Sequence, residues 1–232
     1  MTDTTQYPSR AIGQITLIQN GQAFICTGWL IDKNTILTSG HCSYNADGGT
    51  GDIIESATFT PGRNRLVDPY GSCNVYQVLA PIEWRRDGDP KYDFSIMQLG
   101  TSDGTTVTTC DVGDTVGWFG ISWTAGVDAL SGNGATVQGY PGDKAFGTQW
   151  TMSGTIKKST KLMVYYRMDT AGGQSGSPVF DATGANCGGT PCSMAIHSYG
   201  VGLPGAGANA NAGPRITQSR FTTITNYAAE NG

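Results

Sequence analysis

The sequence has little charge and no long apolar run. Among its 232 residues, 14 Lys and Arg stand against 18 Asp and Glu, and the formal net charge is −4. Nucleic-acid binding calls for a basic patch, so we expect no nucleic-acid partner. No stretch approaches the roughly 18–20 apolar residues of a membrane helix, so we expect no membrane partner.

The sequence also lacks a signal peptide and the usual metal motifs. Residues 1–10 contain no apolar h-region, so no signal peptide is present, and a secreted protein with this sequence would be a mature chain whose leader has been removed. There is no Cys-x-x-Cys pair, neither of the two histidines lies in a ligand-spaced cluster, and no acidic cluster has calcium-ligand spacing. We therefore expect neither a metal nor another cofactor.

Six cysteines are present, an even number that fits disulfide bridges. Cys26 and Cys42 flank a short segment, Cys187 and Cys192 could close a tight loop, and Cys73 and Cys110 then pair by elimination. The alternative is six buried free thiols, which a reducing compartment would maintain. Bridges require an oxidising compartment, so we predict a secreted, extracellular protein.

Glycine is abundant, with 34 residues, and turn-forming residues separate many short apolar or alternating runs. Such runs are typical of an all-β barrel or sandwich. Apolar spacing predicts one helix, at 221–229. The polar stretch 101–109 is expected to link two β halves, and 203–213 to form a flexible surface loop. The predicted strands are 14–19, 23–31, 35–38, 56–60, 75–79, 94–99, 115–121, 136–140, 149–156, 162–168, 178–180 and 194–198.

The strongest chemical signal is a serine between glycines, in Gly173-Gln174-Ser175-Gly176-Ser177. A nucleophilic serine needs a sharp turn, and glycines allow strained backbone angles there. The N–H groups of Gly173 and Ser175 would then form an oxyanion hole. The alternative is an ordinary glycine-rich β-turn, because Gly and Ser dominate such turns.

A histidine and an aspartate occur where this chemistry needs them. His41 follows Leu37-Thr38-Ser39-Gly40, and Asp93 precedes an alternating run. A carboxylate can accept the Nδ1–H of the imidazole and fix its tautomer, while the imidazole serves as general base for Ser175. The chain order His41, Asp93, Ser175 is that of chymotrypsin, whereas subtilisins and α/β-hydrolases use other orders.

These residues and several longer motifs resemble those of trypsin-fold serine proteases, most of all the staphylococcal and Bacillus glutamyl endopeptidases. The resemblance implies two six-stranded antiparallel β-barrels, at 1–103 and 104–232, with a short C-terminal helix and the His41, Asp93 and Ser175 triad in the cleft between them. It also implies a monomer that acts on protein or peptide substrates. The matching motifs lie at 26–31, 37–42, 92–94, 139–144, 149–154 and 173–177.

The same resemblance implies how the substrate is selected. His197 falls at the position of a histidine that contacts the substrate Glu carboxylate, and Thr170 matches a hydroxyl that also touches it. The following residues, Ser198, Tyr199 and Gly200, would pair with the substrate backbone. The alternative for His197 is a core histidine bonded to a neighbouring carbonyl. We therefore predict a secreted serine endopeptidase that cleaves after Glu and less well after Asp.

Asp169 supports a competing interpretation. It lies six residues before Ser175, where trypsin carries the aspartate that selects Arg and Lys. A carboxylate there would repel a substrate Glu, so cleavage after Arg or Lys is the alternative specificity. A relative that has lost catalysis, or a toxin-like relative with one narrow target, is a third possibility. The intact triad argues against lost catalysis.

Overall fold

The computed structural model describes residues 3–46, 52–185, 187–207 and 209–231, and strands dominate these residues. The first half contains nine strands: β1 (Ile12–Gln19), β2 (Gln22–Leu30), β3 (Thr35–Thr38), β4 (Tyr44–Asn45), β5 (Asp52–Ile53), β6 (Ser56–Pro61), β7 (Cys73–Leu79), β8 (Ser95–Ser102) and β9 (Val107–Thr109). The described residues of the second half form seven more: β10 (Gly120–Ile121), β11 (Gly134–Gly139), β12 (Trp150–Ser159), β13 (Met163–Tyr166), β14 (Pro178–Asp181), β15 (Cys192–Ile196) and β16 (Asn211–Pro214). The predicted all-β class is confirmed.

The first sheet is a closed barrel with one added strand. Its strand order is β3-β2-β1-β6-β7-β8-β9, and a further pairing of β3 with β8 closes six strands into a ring. The β1–β2 hairpin turns at Asn20 and Gly21, whose φ angles of 52° and 69° suit a tight two-residue turn. Inward-facing apolar residues fill the barrel, among them Ile15, Leu30, Ile36, Phe59 and Leu99.

The second sheet has the order β10-β15-β14-β11-β12-β13-β16. An isolated bridge between Ala195 and Arg215 brings β15 next to the end of β16, so the sheet curls round on itself. The expectation of antiparallel pairing throughout is wrong for β10, which runs parallel to β15.

Two segments differ from the sequence-based expectations because tertiary partners organise polar or glycine-rich stretches. The stretch 101–109, predicted as a linker, contains the end of β8 and all of β9, which pair as a hairpin around an Asp103 side chain that accepts two backbone N–H groups. The stretch 203–213, predicted as a flexible loop, contains most of the buried strand β16, which pairs with β13. Residue 208 within it lies outside the described residues.

The helices also differ from the single one predicted. The C-terminal helix α3 spans Gln218–Asn231, longer than expected, and two short helices precede it, α1 (Ile82–Asp87) and α2 (Gly113–Val116). Only Trp84 is buried in α1, so that helix has no apolar periodicity to detect. The predicted strand 115–121 is wrong over its first residues, which belong to α2. No helix in the described part of the chain is long and apolar enough to cross a membrane.

The two sheets and α3 share one apolar cluster. Trp29 and Phe94 from the first half pack with Tyr140 and Phe180 from the second, and Ile224 of α3 completes the group. Three disulfides join the expected partners, Cys26–Cys42, Cys73–Cys110 and Cys187–Cys192. The division into barrels at 103 and 104 stays a prediction.

Candidate active site

Strand register brings His41 and Asp93 together. Strand β3 ends just before His41, β8 begins just after Asp93, and the antiparallel pairing places Thr38 opposite Ser95. One Asp93 oxygen, Oδ1, accepts the backbone N–H of His41 at 2.8 Å, and the other, Oδ2, lies 2.8 Å from the His41 Nδ1. The Asp93 carboxylate is completely buried, whereas the His41 side chain is one-third exposed (33 %). A carboxylate held in this way keeps the proton on Nδ1 and leaves Nε2 free as a base.

Two opposing effects set the pKa of His41. Burial favours the neutral imidazole and lowers the pKa. The negative charge of Asp93 and its hydrogen bond act in the other direction and outweigh burial, so the pKa of His41 is raised above its ordinary value of 6.5. A base with such a pKa accepts a proton readily and is still neutral in mildly alkaline solution.

The turn that carries Ser175 depends on two glycines. Gly173 and Gly176 have φ angles of +95° and +90°, a region that residues with a Cβ rarely adopt. A Cβ on Gly176 would lie 2.1 Å from the Thr27 carbonyl oxygen, and one on Gly173 would lie 2.5 Å from that of Tyr140. The turn therefore packs directly on backbone from both halves of the chain, and on the side of the first barrel the Thr27 N–H donates to the Ser175 carbonyl at 2.8 Å.

The same turn contains the two predicted oxyanion-hole donors, the N–H groups of Gly173 and Ser175. The Gly172 carbonyl accepts the Gly142 N–H at 2.6 Å, and the Gln174 carbonyl accepts the Ser177 N–H at 3.0 Å. Because the N–H of a trans peptide points opposite to its carbonyl, the N–H groups of Gly173 and Ser175 point away from these partners. Within the described ranges, neither N–H donates a hydrogen bond. Two free donors beside a serine can bind a developing oxyanion.

His197 lies next to the serine turn and is almost fully buried (2 % exposed). Strand β14 begins after Ser175, β15 ends before His197, and their pairing lets the His197 carbonyl accept the Gly176 N–H at 2.7 Å. The Nδ1 atom of His197 lies 2.6 Å from the Tyr166 hydroxyl. Burial, with a smaller contribution from the nearby His41, lowers the pKa of His197 to about 3, so its ring is neutral near pH 7.

The other predicted substrate-binding residues surround His197. Thr170 is half-buried, and its Oγ1 accepts a hydrogen bond from the Asn211 Nδ2 at 2.9 Å. The Ser198 hydroxyl donates to the backbone carbonyl of Asp93 at 3.0 Å. Tyr199 exchanges two backbone hydrogen bonds with Ala212 and packs its ring 6.3 Å from that of His41, and Gly200 follows as an exposed residue.

Asp169 is exposed, whereas His197 is buried. The Asp169 side chain lines a pocket of about 270 Å³ together with Lys144, Trp150 and its neighbour Thr170. The hydrogen bond that Lys144 donates to the Asp143 carboxylate raises the pKa of Lys144, and the charge of Asp169 adds to the effect. The negative charge of Asp169 is therefore partly compensated by the positive charge of Lys144 at the surface.

Three residues near the site were missed by sequence reasoning. Tyr166 and Asn211 hold His197 and Thr170, and the Ser39 hydroxyl donates to the His197 carbonyl at 3.0 Å. Tyr166 gave no signal beyond its place in a strand, and Asn211 lay in the stretch interpreted as a loop. Ser39 lies two residues before His41, and that proximity was the one available clue.

One cluster of side chains has metal-ligating chemistry. In the part of the chain that the structure describes, the atoms of Cys26, His41 and Cys42 lie within 4.8 Å of one another. The two cysteines form a disulfide, however, and a metal site would need them as thiolates. These three residues are therefore the Cys26–Cys42 disulfide and the His41 imidazole beside it.

The fold and the paired His41 and Asp93 are those of a trypsin-like peptidase. A family model described as a trypsin-like peptidase domain matches residues 26–188, and the chain belongs to this family. The resemblance inferred from the sequence motifs is confirmed by a glutamyl endopeptidase of Bacillus licheniformis, which is 42 % identical over 98 % of this chain.

Two further comparisons add a solved structure and a second Bacillus relative. A solved structure titled as a Glu endopeptidase in complex with MPD superimposes with a TM-score of 0.79, at 30 % identity, over 98 % of this chain and 94 % of that one. A Bacillus subtilis protein named extracellular metalloprotease is 33 % identical over 98 % of this chain. The chain spans 66 % of the length of each Bacillus relative, slightly less than two thirds.

Proposed function

We propose that this chain is a serine endopeptidase that hydrolyses peptide bonds after Glu, and less well after Asp, in protein and peptide substrates. The relative named glutamyl endopeptidase supports this activity at 42 % identity. We also propose that the protein is secreted, that it acts as a monomer and that its two barrels divide near residue 103. The three disulfides and the extracellular Bacillus relative support secretion.

In this proposal, Ser175 is the nucleophile and His41 the general base. The Ser175 Oγ attacks the peptide carbonyl carbon as its proton passes to the His41 Nε2, and Asp93 stabilises the imidazolium. The N–H groups of Gly173 and Ser175 bind the oxyanion, and one such donor typically lowers the barrier by about 3–4 kcal/mol. His41 then protonates the leaving amine as the C–N bond breaks. Water, activated by the same imidazole, hydrolyses the acyl-enzyme and regenerates Ser175.

The observation that carries the Glu specificity is the contact between Tyr166 and His197. Burial raises the pKa of Tyr166 well above its ordinary value, so its hydroxyl keeps its proton and can donate it to the His197 Nδ1. The proton of the neutral ring is then on Nε2, which becomes a donor for a carboxylate. Thr170 adds a second donor, because its oxygen accepts from Asn211 and its own proton has no acceptor among the residues that the structure describes.

The backbone beyond His197 supports substrate pairing along one edge. Tyr199 pairs with Ala212 on one side, and the exposed Gly200 follows it directly. A substrate in extended conformation would lie along Ser198, Tyr199 and Gly200 as an added strand. This alignment would place one substrate side chain between Thr170 and His197, namely that of the residue just before the cleaved bond.

Two observations disfavour cleavage after Arg or Lys. The exposed Asp169 carboxylate lines the same surface pocket as Lys144, and its charge acts on that lysine. Thr170 lines this pocket too, but the other proposed donor, His197, is almost fully buried and neutral, and a neutral donor does not select a cation.

The test is the rate of cleavage of peptides that differ only in the residue before the cut. We expect kcat/KM for Glu to exceed that for Gln by about 10- to 100-fold, the effect of a charged hydrogen bond, and to exceed that for Arg by more. His197→Gln should reduce the Glu preference, and Asp169→Asn, the matched control, should leave it unchanged. Faster cleavage after Arg, lost in Asp169→Asn, would overturn the proposed specificity.

A further inference from the structure

Arg220 is a buried cation that the proposed reaction does not use. It lies in the first turn of α3, and 6 % of its surface is exposed. Burial lowers its pKa to about 10, so the side chain is charged at neutral pH. Among the residues that the structure describes, no carboxylate forms an ion pair with it. A buried charge without a counter-ion must be stabilised by other contacts.

The contacts of Arg220 join two parts of the molecule. Its Nη1 donates to the carbonyls of Leu162 at 3.1 Å and Arg215 at 2.7 Å, both at the ends of second-sheet strands. Its Nη2 donates to the carbonyl of Lys91 at 2.6 Å. Lys91 belongs to the short helical turn Pro90–Tyr92, which immediately precedes Asp93.

The guanidinium also touches the residues on either side of Asp93. Its Cζ lies 5.1 Å from the ring centroid of Tyr92 and 5.1 Å from that of Phe94. A guanidinium over aromatic faces is attracted to them, and more strongly when both are desolvated. Arg220 therefore contacts the residues at positions 91, 92 and 94 while Asp93 points into the site.

We propose that Arg220 is a positioning residue for Asp93. It ties the turn that carries the Asp93 carboxylate to the second sheet. Asp93 itself is held by few backbone contacts. Its N–H donates to the Pro90 carbonyl at a long 3.4 Å, and its carbonyl accepts the Ser198 hydroxyl. Both His41 hydrogen bonds depend on where this turn lies. Misplacement of a reacting group by about 1 Å can cost roughly 10²-fold in rate.

The inference rests on the proposed function, and a matched control separates positioning from general stability. Arg215 is also buried (2 % exposed), and its guanidinium also donates to backbone carbonyls, those of Gly126 at 2.8 Å and Thr160 at 3.0 Å. None of its side-chain partners lies in the turn before Asp93. Arg215→Lys should lower thermal stability as Arg220→Lys does, without changing the geometry of Asp93.

The experiment measures kcat, KM and their pH dependence for wild type, Arg220→Lys and Arg215→Lys, with active sites counted by phosphonofluoridate labelling of Ser175. For Arg220→Lys we expect a roughly 10-fold lower kcat per labelled site and a KM within about twofold. The acid limb of the pH–rate profile of this variant should move to lower pH. The reason is that a less firmly held Asp93 would raise the pKa of His41 by a smaller amount. Arg215→Lys should match wild type in both readouts.

The charged groups around the turn, Glu83, Asp89 and Lys91, are unchanged in this comparison. A second readout does not depend on cleavage: the downfield NMR signal of the His41 Nδ1–H, which should shift in Arg220→Lys alone. If wild type cuts no peptide, the proposed function fails, and this signal still tests the positioning role. If Arg220→Lys does not fold, Tyr92→Leu replaces it, with a smaller shift in the same direction. Equal behaviour of the Arg220 and Arg215 variants would overturn the inference.

Discussion

Replacing His197 by glutamine should make folding stability less sensitive to acid. Burial lowers the pKa of His197 to about 3 in the folded protein, against 6.5 as its ordinary value. Between these two values the unfolded chain binds a proton at this residue and the folded chain does not. The free energy of unfolding therefore falls by about 1.4 kcal/mol per pH unit as the pH drops below 6.5.

The assay is denaturant unfolding at pH 7 and pH 4.5 in a Ser175→Ala background, which prevents self-cleavage. The lower pH of 4.5 lies two units below 6.5. On acidification, the free energy of unfolding should therefore fall by about 3 kcal/mol more in the protein with His197 than in the glutamine variant. At pH 7 the substitution itself should lower the free energy of unfolding by about 1–3 kcal/mol, because the Tyr166 hydroxyl loses its hydrogen-bond partner His197.

His41 supplies a control of opposite sign. Its folded pKa is raised, so its protonation stabilises the fold below 6.5, and that stability is lost as the pH rises through the raised value. In the same background, His41→Gln should therefore cost more stability at pH 5 than at pH 8. If the free energy of unfolding depends on pH in the same way in the protein with His197 and in its glutamine variant, His197 is not a buried neutral histidine.

Three further outcomes follow from the site. Asp93→Asn should lower kcat about 10⁴-fold, by analogy with the loss of the carboxylate in other triads, with KM changed far less in steady-state assays; a loss under tenfold would contradict the proposed triad. Gly176→Ala should prevent folding or sharply lower the melting temperature, because φ is +90° and a Cβ would lie 2.1 Å from the Thr27 carbonyl, whereas Gly172→Ala meets no atom within 4 Å and should melt like wild type. The acid limb of kcat/KM should have its midpoint above 6.5, since the reaction needs neutral His41 and its pKa is raised; a midpoint below 6 would contradict this.

Much of the site could be predicted because its parts are local motifs joined by regular pairing. Strand 35–38 was predicted with the bounds that the structure gives, and the antiparallel partner of its end, Ser95, is two residues from Asp93. The serine turn depends on its own glycines, which are visible in any sequence. Short alternating strands and the even number of cysteines were likewise enough to predict an all-β, disulfide-linked chain.

The remaining features depend on contacts between distant parts of the chain. Nothing local marks Tyr166 as the partner of His197, because 31 positions separate them and a strand tyrosine is ordinary. Strand β16 contains glycine and proline, which disfavour strands, yet pairing with β13 fixes it. Arg220 is one arginine at the start of a helix, and its contacts with Lys91 span 129 positions.

The most direct test of the account is a digest of an unfolded protein mixture by the purified chain, in which new N-termini are mapped by mass spectrometry. Each mapped terminus gives the residue before the cut, and Ser175→Ala serves as the blank. We expect that most cuts follow Glu, that a minority follow Asp and that none appear with the Ser175 variant. Cuts that mainly follow Arg or Lys, or cuts that persist without Ser175, would contradict it.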